Sequence, residues 1–125
     1  MKCAFRLLST AALALCLLAP LATNTALAGA VPVPKAGHTR VHAYTTDIYH
    51  ISFRAHEEAQ VAISGDGDTE LDLYVYDENG HLIASDDEGS EDDRSVSWTP
   101  RWTGRFTIKV VNRGSVYNAY GIATN

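Results

Sequence analysis

Cysteine is almost missing: the 125-residue chain has two, Cys3 and Cys16, and both fall within the first 28 residues. If that stretch is a removable leader, the rest can form no disulfide and offers no thiol nucleophile. Basic residues are also scarce. Fifteen Asp and Glu stand against ten Lys and Arg, and two of the ten, Lys2 and Arg6, belong to the same stretch. The remaining domain then carries a net charge of −7, which excludes a free-standing nucleic-acid binder that would need a basic face. No segment holds a helical apolar stripe for three turns. Catalytic signatures are lacking too: there is no Gly-x-Ser-x-Gly, no Ser-x-x-Lys and no His-Glu-x-x-His. The 97 residues from Gly29 to Asn125 are too few for a Rossmann-type or barrel enzyme, and a small sandwich has little left over to wall a glycosidase cleft. The expectation is a non-enzyme.

What is present begins with a secretory pattern. Lys2 and Arg6 precede an apolar run from Leu7 to Leu18, and a polar stretch after Pro20 ends in Ala26-Leu27-Ala28. The run is shorter than the roughly 20 residues that span a bilayer. Cys16 lies mid-run behind a bulky Leu15, which argues against a lipid anchor. Residues 1–28 thus read as a cleaved signal peptide, with no membrane insertion afterwards and a periplasmic or extracellular destination. A cysteine-free exported domain suits a bacterial route.

Residues 29–40 contain Pro32 and Pro34 and read as an extended N-terminal segment. From Val41 the dominant period is two. Tyr49, Ile51 and Phe53 alternate with His50, Ser52 and Arg54; Leu71, Leu73 and Val75 with Asp72, Tyr74 and Tyr76; Phe106, Ile108 and Val110 with Arg105, Thr107 and Lys109. Val96 and Trp98 continue the pattern, while Gly65-Asp66-Gly67 and Asp77-Glu78-Asn79-Gly80 are turn signals. Seven or eight short strands of this kind make residues 41–125 an all-β, antiparallel, jelly-roll-like sandwich with the two rows of Leu, Val, Ile and Phe in its core.

Charge is segregated along the chain. Residues 66–93 hold twelve acidic residues and no basic one, whereas 94–125 hold five basic residues and no acidic one. Asp66, Asp68, Glu70 and Asp72 follow one another at a spacing of two. In an extended segment they share a face and repel unless neutralised, so they are candidate ligands for Ca²⁺, a hard cation that takes oxygen donors. A solvated acidic surface is the plainer reading of the same run. The five histidines, His38, His42, His50, His56 and His81, have no zinc-ligand spacing.

Three stretches carry a family resemblance: Thr69-Glu70-Leu71-Asp72-Leu73-Tyr74-Val75-Tyr76-Asp77-Glu78-Asn79-Gly80, then Trp98-Thr99-Pro100-Arg101-Trp102-Thr103-Gly104-Arg105-Phe106-Thr107-Ile108-Lys109-Val110, and finally Tyr120-Gly121-Ile122. Together they resemble the bacterial pre-peptidase C-terminal domain. The resemblance implies a jelly-roll-like sandwich of the kind appended to secreted peptidases and similar to collagen- and carbohydrate-binding sandwiches. It also implies calcium held by acidic residues before and within the first motif. Glu70 stands where an aspartate is commoner, and no peptidase domain accompanies the motifs.

Aromatic residues supply the candidate ligand surface. Tyr74 and Tyr76 have the parity opposite to Leu73 and Val75, which points them outward, and Trp102 falls in the turn between Pro100 and Gly104. Flat amphipathic rings suit sugar or peptide contact, although outward tyrosines also shield neighbouring strands. The sequence therefore predicts an exported binding or accessory module, calcium-stabilised, that recognises an extracellular polysaccharide or protein through Tyr74, Tyr76 and Trp102. The alternative is an interaction partner of a secreted peptidase: an inhibitor, chaperone or detached domain.

Overall fold

The computed structural model describes residues 30–31 and 36–125, and the signal-peptide reading of 1–28 lies outside the described residues. Nine strands follow one another: β1 (Ala30–Val31), β2 (Ala36–Val41), β3 (Thr46–Phe53), β4 (Ala59–Ser64), β5 (Leu71–Tyr76), β6 (Leu82–Asp86), β7 (Asp93–Trp98), β8 (Gly104–Asn112) and β9 (Asn118–Thr124). They form two antiparallel sheets, ordered β1-β3-β8-β5-β6 and β2-β9-β4-β7. The architecture is the all-β sandwich that the period of two predicts, with no helix among the described residues.

The predicted inward rows are the core. Leu71, Leu73, Val75, Ile108 and Val110 are fully buried, and Phe106 nearly so. The second sheet answers with Val61, Ile63, Tyr120 and Ile122. Register fixes these faces: Leu73 pairs with Val110 and Val75 with Ile108, while Tyr49 pairs with Ile108 and Ile51 with Phe106. A slip of one residue would send every one of these side chains outward.

One boundary differs from the sequence reading. Residues 36–40, read there as part of an extended segment ahead of the domain, join Val41 in a strand that pairs with β9 from Ala36–Ala123 to Val41–Asn118. Five of the six β2 residues are exposed and only Val41 is buried. An edge strand of this kind has no apolar alternation, so its sequence gives no strand signal.

The Asp77–Gly80 turn forms as its residues predict. The Gly80 N–H donates to the Asp77 carbonyl (3.0 Å), Gly80 adopts φ +86°, and Asp77 Oδ1 accepts from the N–H groups of Asn79 and His81, both at 2.9 Å. These bonds, the His81 N–H foremost, hold the Asp77 carboxyl below the usual aspartate range.

Leu73→Ala removes a fully buried side chain from the centre of this core, and is expected to cost about 2–5 kcal/mol. Gln60→Ala, on the exposed face of β4, should stay within about 0.5 kcal/mol of wild type. Urea unfolding of both variants checks the pair of values.

Candidate binding surface at the polar end

The sandwich has two unlike ends, and the alternation that builds its core also explains why. At one end the inward rows run out into polar residues. Arg94 shares parity with Val96 and Trp98, Asn112 with Ile108 and Val110, and Asn118 with Tyr120 and Ile122. All three are buried, and each ties down loops.

Arg94 is the most heavily bonded. Its side chain is 2 % exposed. Nε–H donates to the Leu71 carbonyl (2.7 Å); Nη1 reaches the Glu88 carbonyl, Asp86 Oδ1 (3.2 Å) and Glu91 Oε1 (3.3 Å); Nη2 reaches the Gly89 carbonyl (3.1 Å) and Asp72 Oδ1 (3.5 Å). A buried guanidinium demands this many acceptors, because an unpaired one would carry a desolvation penalty of several kcal/mol. The acidic loop 87–92 is thereby folded around a cation supplied by the chain itself.

The two asparagines act on the other loops. Asn112 Nδ2 donates to the carbonyls of Val41, His42 and Val116, joining the β2–β3 loop to the β8–β9 loop. Asn118 Nδ2 donates to the Thr69 carbonyl and to Asp92 Oδ2, and its Oδ1 accepts from the Asp66 N–H. Gly65 allows this packing, since a Cβ there would lie 2.2 Å from the Asp92 carboxylate. Nearby, the Tyr49 hydroxyl donates to that of Tyr120 (2.6 Å), which itself donates to Asp47 Oδ2 (2.8 Å). Burial first, and these bonds with it, push the Tyr120 phenol far above its ordinary value.

On these braced loops stand exposed apolar side chains. Tyr44 is 71 % exposed, Val116 51 % and Tyr117 45 %. The Arg40 guanidinium lies 4.5 Å from the Tyr117 ring centroid. Tyr44 adopts φ +56°, a left-handed conformation that carries a strain of order 1 kcal/mol for a non-glycine residue. Its N–H donates to the Gly114 carbonyl (3.1 Å), which links the two loops once more. Tyr44 and Tyr117 went unnoticed in the sequence because neither belongs to an alternating row. The one available signal was a bulky residue within a turn.

The four acidic candidates all lie at this end, but they do not form one face. Only Asp72 belongs to a strand; 65–70 is a loop turning through Gly67 at φ +89°. Asp66 accepts from the N–H groups of Ala119 (2.8 Å) and Asp68 (2.9 Å), and these, Ala119 first, hold its carboxyl below the usual range. Asp72 is buried between Arg94 and Arg113, whose Nε–H donates to Oδ2 at 2.7 Å. Among the described residues no three His, Cys, Asp or Glu side chains are grouped to hold a metal ion. Two arginines neutralise Asp72, and Asp66 accepts from backbone N–H groups.

The aromatic candidates are divided. Tyr74 and Tyr76 stand half-buried on the outer face of their sheet, as parity predicts. The Tyr74 hydroxyl accepts from Arg113 Nη2 and donates to Asp87 Oδ2, each 3.1 Å, while Lys109 Nζ sits 4.8 Å from the Tyr76 ring centroid. Both rings already have partners within the sheet. Trp102 lies at the opposite end, 44 % exposed. There Phe53, Trp98 and Phe106 form a ring cluster with centroids 5.0–6.0 Å apart.

No protein-family model matches this sequence, and no curated protein matches it. Solved structures do. PliG of Aeromonas hydrophila, a periplasmic inhibitor of g-type lysozyme, superposes with a TM-score of 0.56 over 74% of this chain and 84% of that one, at 13% identity. The pre-peptidase C-terminal domain of the Bacillus anthracis collagenase gives a TM-score of 0.54 over 71% and 88%, at 10% identity. At such identities the likeness is one of fold: the chain shares a β-sandwich architecture with both.

Two outcomes follow for the polar end. Arg94→Leu takes from the Leu71, Glu88 and Gly89 carbonyls their guanidinium donor and from the buried Asp72 one of its two cations, and should cost about 3–5 kcal/mol in urea unfolding. The depressed Asp66 carboxyl supplies stability that is present above the unfolded aspartate value and is lost as pH falls through the folded one. The Tm should therefore begin to fall below about pH 4, with a shallower fall in Asp66→Asn.

Proposed function

We propose that this chain is an exported, non-catalytic binding module that docks onto a secreted enzyme through its polar end, in the manner of an inhibitor or accessory domain. The observation that carries this reading is the set of exposed side chains, Tyr44, Val116 and Tyr117, on loops held by buried Asn112. Interface hot spots are enriched in tyrosine on pre-ordered backbone, because little entropy remains to be lost on binding. The acidic residues of 66–70 and 87–92 at the same end favour a partner surface with basic residues, to which they would steer encounter.

The related folds support the reading. One belongs to a protein described as a periplasmic inhibitor of g-type lysozyme and the other to a pre-peptidase C-terminal domain of a collagenase. Export rests on the pattern Lys2, Arg6, Leu7–Leu18 and Ala26-Leu27-Ala28. Descent from the pre-peptidase C-terminal family belongs to the same proposal and rests on the three motifs together with the fold. Recognition of a polymer by Tyr74 and Tyr76 is the weaker reading, since Arg113, Asp87 and Lys109 already engage those rings.

Calorimetric titration of the mature domain against a g-type lysozyme and against a secreted collagenase tests the proposal. A 1:1 complex with one of them is expected, weakened at least ~10-fold by Tyr44→Ala or Tyr117→Ala, about 1.4 kcal/mol. Binding to neither, or binding that both variants leave unchanged, overturns it.

A further inference from the structure

The aromatic end carries a cavity that docking at the polar end does not use. It has a volume of about 180 Å³, and its walls include Ile83, Trp98, Trp102 and Phe106. Asp77, Thr99 and Arg101 contribute the polar part of the lining. The wall is braced from behind. The His56 N–H donates to the Pro100 carbonyl (2.8 Å), and the Ala55 N–H donates to Thr103 Oγ1 (2.9 Å). A Cβ at Gly104 would lie 3.1 Å from Trp102 Cδ1 and 2.5 Å from Glu78 Oε2, so a glycine is what lets the indole settle there.

The polar groups restrict what can enter. The Trp98 Nε1–H is enclosed and has no hydrogen-bond partner among the described residues, a state that costs about 1–3 kcal/mol. Arg101 and Thr99 likewise make no side-chain hydrogen bond or ion pair among the described residues. Asp77 Oδ2 has one contact, with His81 Nδ1 at 3.3 Å, and keeps accepting capacity. A hydrocarbon would strip water from Thr99, Arg101 and Asp77 without replacing it. An anion would meet Asp77, and a cation would meet Arg101. The lining suits a neutral body with one apolar face and a rim of groups that both donate and accept.

We infer that this cavity binds a single neutral sugar ring. The ring's C–H face lies on Trp102, against the electron-rich indole surface, and its hydroxyls are shared between Arg101, Thr99 and Asp77. The volume admits one ring and not a run of them, so the site takes a free monosaccharide or the terminal unit of a glycan. The inference is independent of the proposed docking function, because its residues lie at the far end of β3, β7 and β8 from Tyr44 and Tyr117.

The chain has two tryptophans, and their indole N–H signals in a ¹H–¹⁵N spectrum report directly on the cavity. The mature domain is titrated with glucose, galactose, mannose and N-acetylglucosamine, each to about 100 mM, a range that captures millimolar affinities. Saturable shifts of both indole signals are expected with at least one sugar. They should weaken at least ~10-fold in Trp102→Ala and in Arg101→Ala and persist in Tyr44→Ala. If Trp102→Ala does not fold, Arg101→Ala decides alone. Saturable shifts with the methyl glycoside of the same sugar indicate a glycan end; their loss indicates the free sugar. The inference is overturned if no sugar produces saturable shifts, if free indole does so and no sugar does, or if the shifts survive Arg101→Ala.

Discussion

A buried guanidinium organises one whole end of this molecule. Arg94 points between the sheets at the position where an apolar side chain would continue the row of Val96 and Trp98, and water cannot reach it. Its charge has to be met by protein oxygens, and the chain brings three carboxylates and three carbonyls to it. An otherwise self-repelling loop gains a fixed shape from this demand. Asn112 and Asn118 repeat the device with neutral amides, so that the loops between β2 and β3, β4 and β5, β6 and β7, and β8 and β9 share one buried polar layer.

The opposite end obeys another rule. There the inward rows finish in Phe53, Trp98 and Phe106, packed edge-on and tilted, beside a cavity that Trp98, Phe106 and the Trp102 turn line. Polar anchoring gives rigid loops with exposed tips; aromatic packing gives a recess. One sandwich thus exposes Tyr44, Val116 and Tyr117 at one end and encloses a cavity at the other.

Much of this was legible in the sequence. The parity of Leu71, Leu73, Val75, Phe106, Ile108 and Val110 placed the core, and the parity of Tyr74 and Tyr76 placed them outside it. The same parity, extended one step, turns Arg94, Asn112 and Asn118 inward, but polar residues do not count toward an apolar row and so give no such signal. The placement of the acidic series was hidden for a related reason. A spacing of two implies a shared face only in a strand, and Gly65 and Gly67 keep Asp66, Asp68 and Glu70 in a loop. The cation that answers Asp72 was present twice over, as Arg94 and Arg113, but lies 22 and 41 residues away along the chain. Strand β2 stayed hidden because an exposed edge needs no alternation.

Amide hydrogen exchange at the polar end tests the account most directly. The N–H groups of Gly65, Gly67, Leu71, Arg113 and Gly114 all donate within or between its loops and strand ends. If buried polar anchors fix this end, those amides exchange as slowly as amides in the central strands β5 and β8. Exchange at the rate of an unstructured peptide, with the strands still protected, would contradict the account.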